Sequence, residues 1–106
     1  MTDASDVRVE HNQERHRYEG WCDDRLAGFA EYQLTDQLVV FTHTEVEPEF
    51  EGRGVGSAIV QAALDDVRAA GKRQVLPLCP FVKSWIREHA DYVPLVYGAP
   101  PSTARD

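Results

Sequence analysis

The stretch LVVFTHTEVEPEFEGRGVGSAIVQAAL, Leu38 to Leu64, carries the reading of the fold. Its first nine residues are mostly β-branched or aromatic, with no glycine or proline to interrupt them, and both faces are largely apolar at the start. This predicts an internal strand over Leu38–Val46. Gly52, Gly54 and Gly56 follow at alternate positions, with Arg53 between the first two. Beyond them Val55, Ile59, Ala62, Ala63, Val67 and Ala70 recur at helical spacing. Gly71 then stands where a helix stops. A strand, a glycine turn and a helix start in this order make an anion site. The first N–H groups of a helix lack internal partners, and glycine lets the backbone approach a phosphate. A tight connection alone needs fewer than three glycines. A P-loop is excluded, because Gly56 is followed by Ser57 and Ala58 with no lysine. The spacing also fits poorly to a dinucleotide turn, which opens a parallel βαβ unit.

Working outward, VRVEHN, HRYEGWC and LAGFAEYQL read as a meander of antiparallel strands, with DDR as a turn. In the third of these, Leu26, Gly28, Ala30, Tyr32 and Leu34 fall on one side. On the C-terminal side, RQVLPL is a short strand that Pro77 confines to an edge or a splayed region. CPFVKSWIREH is a short helix with Pro80 at its first position, and DYVPLVY reads as a last strand. The expected class is α+β, an α/β sandwich with helices on a mostly antiparallel sheet. The long helix follows the fourth strand and the short one follows the fifth. One domain is expected over residues 7–97, with residues 1–6 and 98–106 as disordered tails.

The formal net charge of −7 argues against nucleic acid, whose phosphates need a basic face. It suits a cationic substrate, and it equally serves solubility. No apolar run is long enough for a membrane helix, and the polar start lacks a secretion signal, so a cytoplasmic location is expected. There Cys22 and Cys79 are expected as free thiols, and the scattered histidines argue against a metal site. The sequence sets no oligomeric state, and a monomer satisfies it.

VEPEFEGRGVGSAIVQAAL resembles the acetyl-CoA signature of the GNAT N-acetyltransferase superfamily, approximately Q/R-x-x-G-x-G/A between a strand and a helix. Gly54 and Gly56 match its last two positions, and Glu51 stands where Gln or Arg is usual. Together with the ending CPFV..WI..H..Y, the chain from Arg8 to Val96 resembles the small GNAT branch of NATD-type and plant acetyltransferases. The resemblance implies a shortened GNAT fold without the two helices that usually follow the first strand. It implies acetyl-CoA as cosubstrate and an amine acceptor: a small molecule, a lysine or a protein N-terminus. Thr44, Glu45 and Val46 would then meet the pantetheine. Glu51, Gly52, Arg53, Gly54, Val55, Gly56 and Ser57 would hold the pyrophosphate. The same loop would equally serve a non-catalytic acyl-CoA-binding sensor.

Acetyl transfer to an amine needs a base, oxyanion stabilisation and a proton for the leaving thiolate. His43 is placed as the base, against the alternative of a core histidine bonded to backbone. His43 and Glu45 share a strand face and Val46 takes the other, so the carboxylate would favour a cationic acceptor beside the histidine. Cys79, just before Pro80, falls at a helix start, a position that favours thiolate. It reads as nucleophile, as proton donor to CoA, or as a small buried hydrophobe. Tyr92 is a weaker candidate acid. Phe81 and Trp85 read as packing residues and Cys22 as structural.

Overall fold

A computed structural model describes residues 7–98. The two tails expected to be disordered lie outside those residues, apart from Gly98. Five strands form one sheet in sequence order: β1 (Arg8–Asn12), β2 (Arg17–Cys22), β3 (Arg25–Leu34), β4 (Leu38–Val46) and β5 (Gln74–Pro77). The first four pair antiparallel, and β5 returns parallel to β4 after the long helix α1 (Val55–Ala70). A second helix, α2 (Pro80–Glu88), follows β5. Among the described residues no helix precedes Gly52 except a short 3-10 turn at Pro48–Phe50, as the resemblance implied.

α1 forms where the apolar period lay. Val55, Ile59, Ala63 and Val67 are buried at four-residue spacing, and the helix packs on β2, β3 and β4. Fully burying such a side chain contributes about 1.5–3 kcal/mol. Gly20 on β2 permits the close approach, since a Cβ there would stand 2.8 Å from Ile59 Cδ1. Gly71 ends the helix at φ 66°, its N–H donating to the Val67 carbonyl.

The sequence reading departs from the structure in two places. DYVPLVY is not a strand: Ala90–Leu95 forms a 3-10 helix, and only Val96 touches the sheet, through a single parallel bridge to Val75. Pro94 has no N–H to give a ladder. In β3, the register against β2 shifts near Gly20 and Trp21, so Ala27, fully buried, takes an inward place. Leu26 is thereby displaced from the common face, and Leu34 at the far end is 44% exposed rather than core.

The sheet face away from α1 is charged. Glu19, only 5% exposed, accepts hydrogen bonds from Arg17, Asn12 and Trp21. Burial alone would raise its carboxyl, but these donors outweigh burial and hold it below the ordinary carboxylate range.

Candidate active site

β4 and β5 run together only from Leu38 opposite Gln74 to Phe41 opposite Pro77. There the N–H groups of both Leu78 and Cys79 turn back to the Phe41 carbonyl, each at 3.0 Å, and the strands part. A bulge in the β3–β4 register falls at the same level: Glu31 pairs with His43 and Tyr32 with Phe41, leaving Thr42 extra. From Thr42 to Val46, β4 keeps β3 as its neighbour while its other edge has no β5 ladder.

The register assigns the faces of this free length. Thr44 lies opposite fully buried Ala30, on the α1 side, whereas His43 lies opposite Glu31 and Glu45 opposite Phe29 on the other. His43 Nε2 and Glu45 Oε2 are 3.1 Å apart, both side chains about half exposed, as the two-residue period predicts. The His43 ring stands edge-on to Phe29. On the opposite face Cys79, 4% exposed and at the N-cap of α2, donates its thiol to Thr44 Oγ1 at 3.4 Å. The structure thus brings Cys79 to Thr44 and His43 to Glu45, and sets the two pairs on opposite sides of one strand.

Beyond β4 the chain reaches the glycines. Gly52 and Gly54 have φ of 81° and 80°, the left-handed region that favours glycine. A Cβ on Gly52 would meet nothing within 4 Å. The first bond of α1 is from Ala58 N–H to the Gly54 carbonyl at 3.0 Å, and no side chain caps the helix. Among the described residues no backbone carbonyl accepts from the N–H groups of Gly52, Arg53, Gly54, Val55, Gly56 or Ser57. Arg53 Nε is buried and has no hydrogen-bond partner among them. Its guanidinium lies 5.1 Å from the ring centre of Phe50, and Arg25 lies 5.3 Å from the same ring. Arg25 makes a two-pronged ion pair with Glu49, whose carboxyl those hydrogen bonds hold low. Glu51 is exposed.

Gly56 answers a different need. It is buried, and a Cβ there would stand 2.8 Å from Phe81 Cζ. The third glycine seats α2 on the start of α1, and Trp85 Nε1 donates to Ser57 Oγ at 2.8 Å beside it. Trp85 is buried here, and Phe81 packs on Gly56 while remaining 43% exposed. Tyr92 donates its hydroxyl to Asp65 at 2.6 Å and stacks edge-on against Trp85, a packing role. Cys22 is buried and free.

The family model described as GCN5-related N-acetyltransferase matches residues 17–95. The chain belongs to that family. Protein NATD1 of Xenopus tropicalis is 30% identical over 92 residues, covering 84% of this chain and 83% of that one. Protein NATD1 of Homo sapiens is 30% identical over 86 residues, 78% of this chain and 74% of that one. Among solved folds, a GCN5-like putative N-acetyltransferase from Staphylococcus aureus superposes with a TM-score of 0.68 at 18% identity, over 96% of this chain and 99% of its own. The ribosomal-protein-S18-alanine N-acetyltransferase from Escherichia coli gives 0.61 at 15% identity, over 74% of this chain and 54% of its own. The GCN5-related fold is therefore present in shortened form, and the chain is an N-acetyltransferase by family.

The sequence did not reveal Arg25, whose place beside the glycine loop depends on a strand more than twenty residues earlier. The signal it offered, an arginine ending the DDR turn, is common to many turns.

Proposed function

We propose that the chain transfers an acetyl group from acetyl-CoA to a cationic amine by direct attack, with His43 as general base. The observation that carries this reading is the run of N–H groups from Gly52 to Ser57 that have no backbone acceptor among the described residues, next to the free edge of β4 and to Arg53 Nε, which has no described partner either. Such donors at the start of a 16-residue helix fit a pyrophosphate, and the parted strands fit a pantetheine alongside Thr44, Glu45 and Val46.

An edge is reached from both faces, which gives the two pairs separate work. The ammonium first gives up one proton to solvent, which frees its lone pair, and from the His43 side the neutral amine nitrogen then attacks the thioester carbonyl. His43, steadied by Glu45, takes the proton from that nitrogen as the C–N bond forms. The exposed carboxylates of Glu45 and Glu47, at the two-residue period of His43, draw a protonated amine to this side. As the C–S bond breaks, the thiolate takes a proton from the Cys79 thiol, which recovers one from solvent before the next turnover. The burial of Cys79 and its bond to Thr44 favour this donor role over nucleophilic attack.

The test is steady-state kinetics with acetyl-CoA and a panel of amines. His43→Ala should lower the rate by ~10²–10⁴-fold with acetyl-CoA affinity little changed. An intact rate in His43→Ala, with an acetyl-cysteine trapped in the mass spectrum of the parent chain, would overturn direct attack. Acetyl-CoA that binds while no amine is acetylated would favour the sensor reading.

A further inference from the structure

The C-terminal end of α1 holds a second cavity that acetyl transfer does not use. It has a volume of about 620 Å³, within the range of small-molecule sites, and lies between the β1–β2 turn, β3 and the last turns of the helix. Asp66, the first residue of α1 to reach it, stands 12 positions beyond Gly54, about 18 Å along the helix at 1.5 Å per residue, so the cavity does not continue the cleft between β4 and β5.

Its floor is aromatic and fixed. The His11 ring stacks on Tyr18, centroids 4.0 Å apart, and His11 Nε2 meets the Tyr32 hydroxyl at 2.5 Å. Tyr18 donates to Asp66 at 2.6 Å, and His16 lies parallel to Tyr32. These groups hold one another, so the rings cannot collapse into the space between them. One wall is apolar and includes Leu34, the residue left exposed at the end of β3. Lys72 and Arg73 stand at the rim, and neither has an acidic partner among the described residues. Arg73 is nevertheless held in place, its Nε donating to the Thr35 carbonyl at 2.7 Å. That bond leaves its two terminal nitrogens for another acceptor. The carboxylate of Asp66 also borders the cavity, but Tyr18 and His11 engage it at the floor.

We propose that this cavity binds a small aromatic carboxylate, its ring against Tyr18, Tyr32 and Leu34 and its acid group between Lys72 and Arg73. Flat rings match the stacked floor, and the two rim cations, without an acidic partner among the described residues, select an anion.

The experiment is a titration of the isotope-labelled full chain with benzoate, benzamide and benzylamine, followed by amide NMR. Benzoate should give saturable shifts confined to the cavity lining, at Tyr18, Tyr32, Leu34, Val39, Lys72 and Arg73, persisting in Gly54→Val, where the glycine loop is impaired. Lys72→Glu should weaken benzoate about tenfold, the worth of one charge-assisted hydrogen bond. Lys72 is exposed, and its replacement leaves the floor intact. No saturation by benzoate up to its solubility, equal binding of benzamide, or preference for benzylamine through Asp66 would each overturn the proposal. Shifts at the glycine loop instead of the rim would do the same.

Discussion

The two ends of α1 are built on opposite principles. At the N-terminal end the backbone donors are left without partners: Gly54 supplies no side-chain cap, and the N–H groups up to Ser57 find no described carbonyl. At the C-terminal end the polar groups are matched. Gly71 N–H returns to Val67, Arg68 reaches the Asp91 carbonyl, and Tyr18, His11 and Tyr32 close a chain of bonds around Asp66. A protein keeps buried or crowded polar groups unpaired where a ligand will pair them, and satisfies them where they hold structure. On that reasoning, substitutions at the first end act on acetyl-CoA binding, and those among the matched groups of the second end act on stability, the rim cations Lys72 and Arg73 standing apart from that matched set.

The largest effect is expected at the glycine loop. Gly54→Val places a β-branched residue at φ 80°, a region costing roughly 1–2 kcal/mol for residues with a Cβ. The loop must shift or lose the array of N–H groups. Calorimetry with acetyl-CoA should record a loss of affinity of at least about a hundredfold, while circular dichroism keeps the helix signal. Unchanged affinity with the fold intact would break the comparison, since the open end would then not be a binding end.

The site was unevenly legible in the sequence for physical reasons. The alternation of a strand is local, so the pairing of His43 with Glu45 was visible from residue numbers alone. The apolar period of α1 and its stop at Gly71 were local too. The bulges at Ala27 and Thr42 were not, because a bulge exists only relative to a partner strand. The same limit hid the reason for Gly56. Its neighbour Phe81 is twenty-five positions away, so three glycines that looked alike divide into two with left-handed backbones and one that admits a second helix. The aromatic cavity was the least visible feature, since His11, Tyr18, Tyr32 and Asp66 come from four separate elements. The terminal segment misled because VPLV has a strand's composition while Pro94 removes a donor that a ladder would need.

A smaller effect belongs to the matched end. Tyr18→Phe deletes the hydroxyl that donates to Asp66 while keeping the ring against His11. The Asp66 side chain is about half exposed and can recruit water, so the loss should be about 1 kcal/mol, near the typical value for one hydrogen bond. In a domain of this size that lowers the melting temperature by about 4–8 °C. A neutral result would mean that water already competes for Asp66, and that the matched end is less closed than its geometry implies.

The smallest effect is a dependence of stability on pH carried by His11. Burial lowers its pKa from the ordinary histidine value, and the nearby Asp66 only partly offsets that. The groups facing it are Tyr18 on β2, Tyr32 on β3 and Asp66 on α1. With the folded value below the unfolded value near 6.5, the unfolded chain binds more protons throughout the window between them, and stability rises with pH across it. The contribution is complete above about pH 6.5 and is lost as pH falls through the folded value. Glu19 adds a separate loss at lower pH, since its folded value is also depressed and its contribution persists down to the ordinary carboxylate range near 4.5. Urea midpoints should therefore fall in two stages on acidification. His11→Gln should remove the upper stage and leave the lower one. A midpoint that rises on acidification through the histidine range would mean that the attraction of Asp66 outweighs burial. His11 would then be held as a cation, paired with the Asp66 carboxylate at the floor of the cavity.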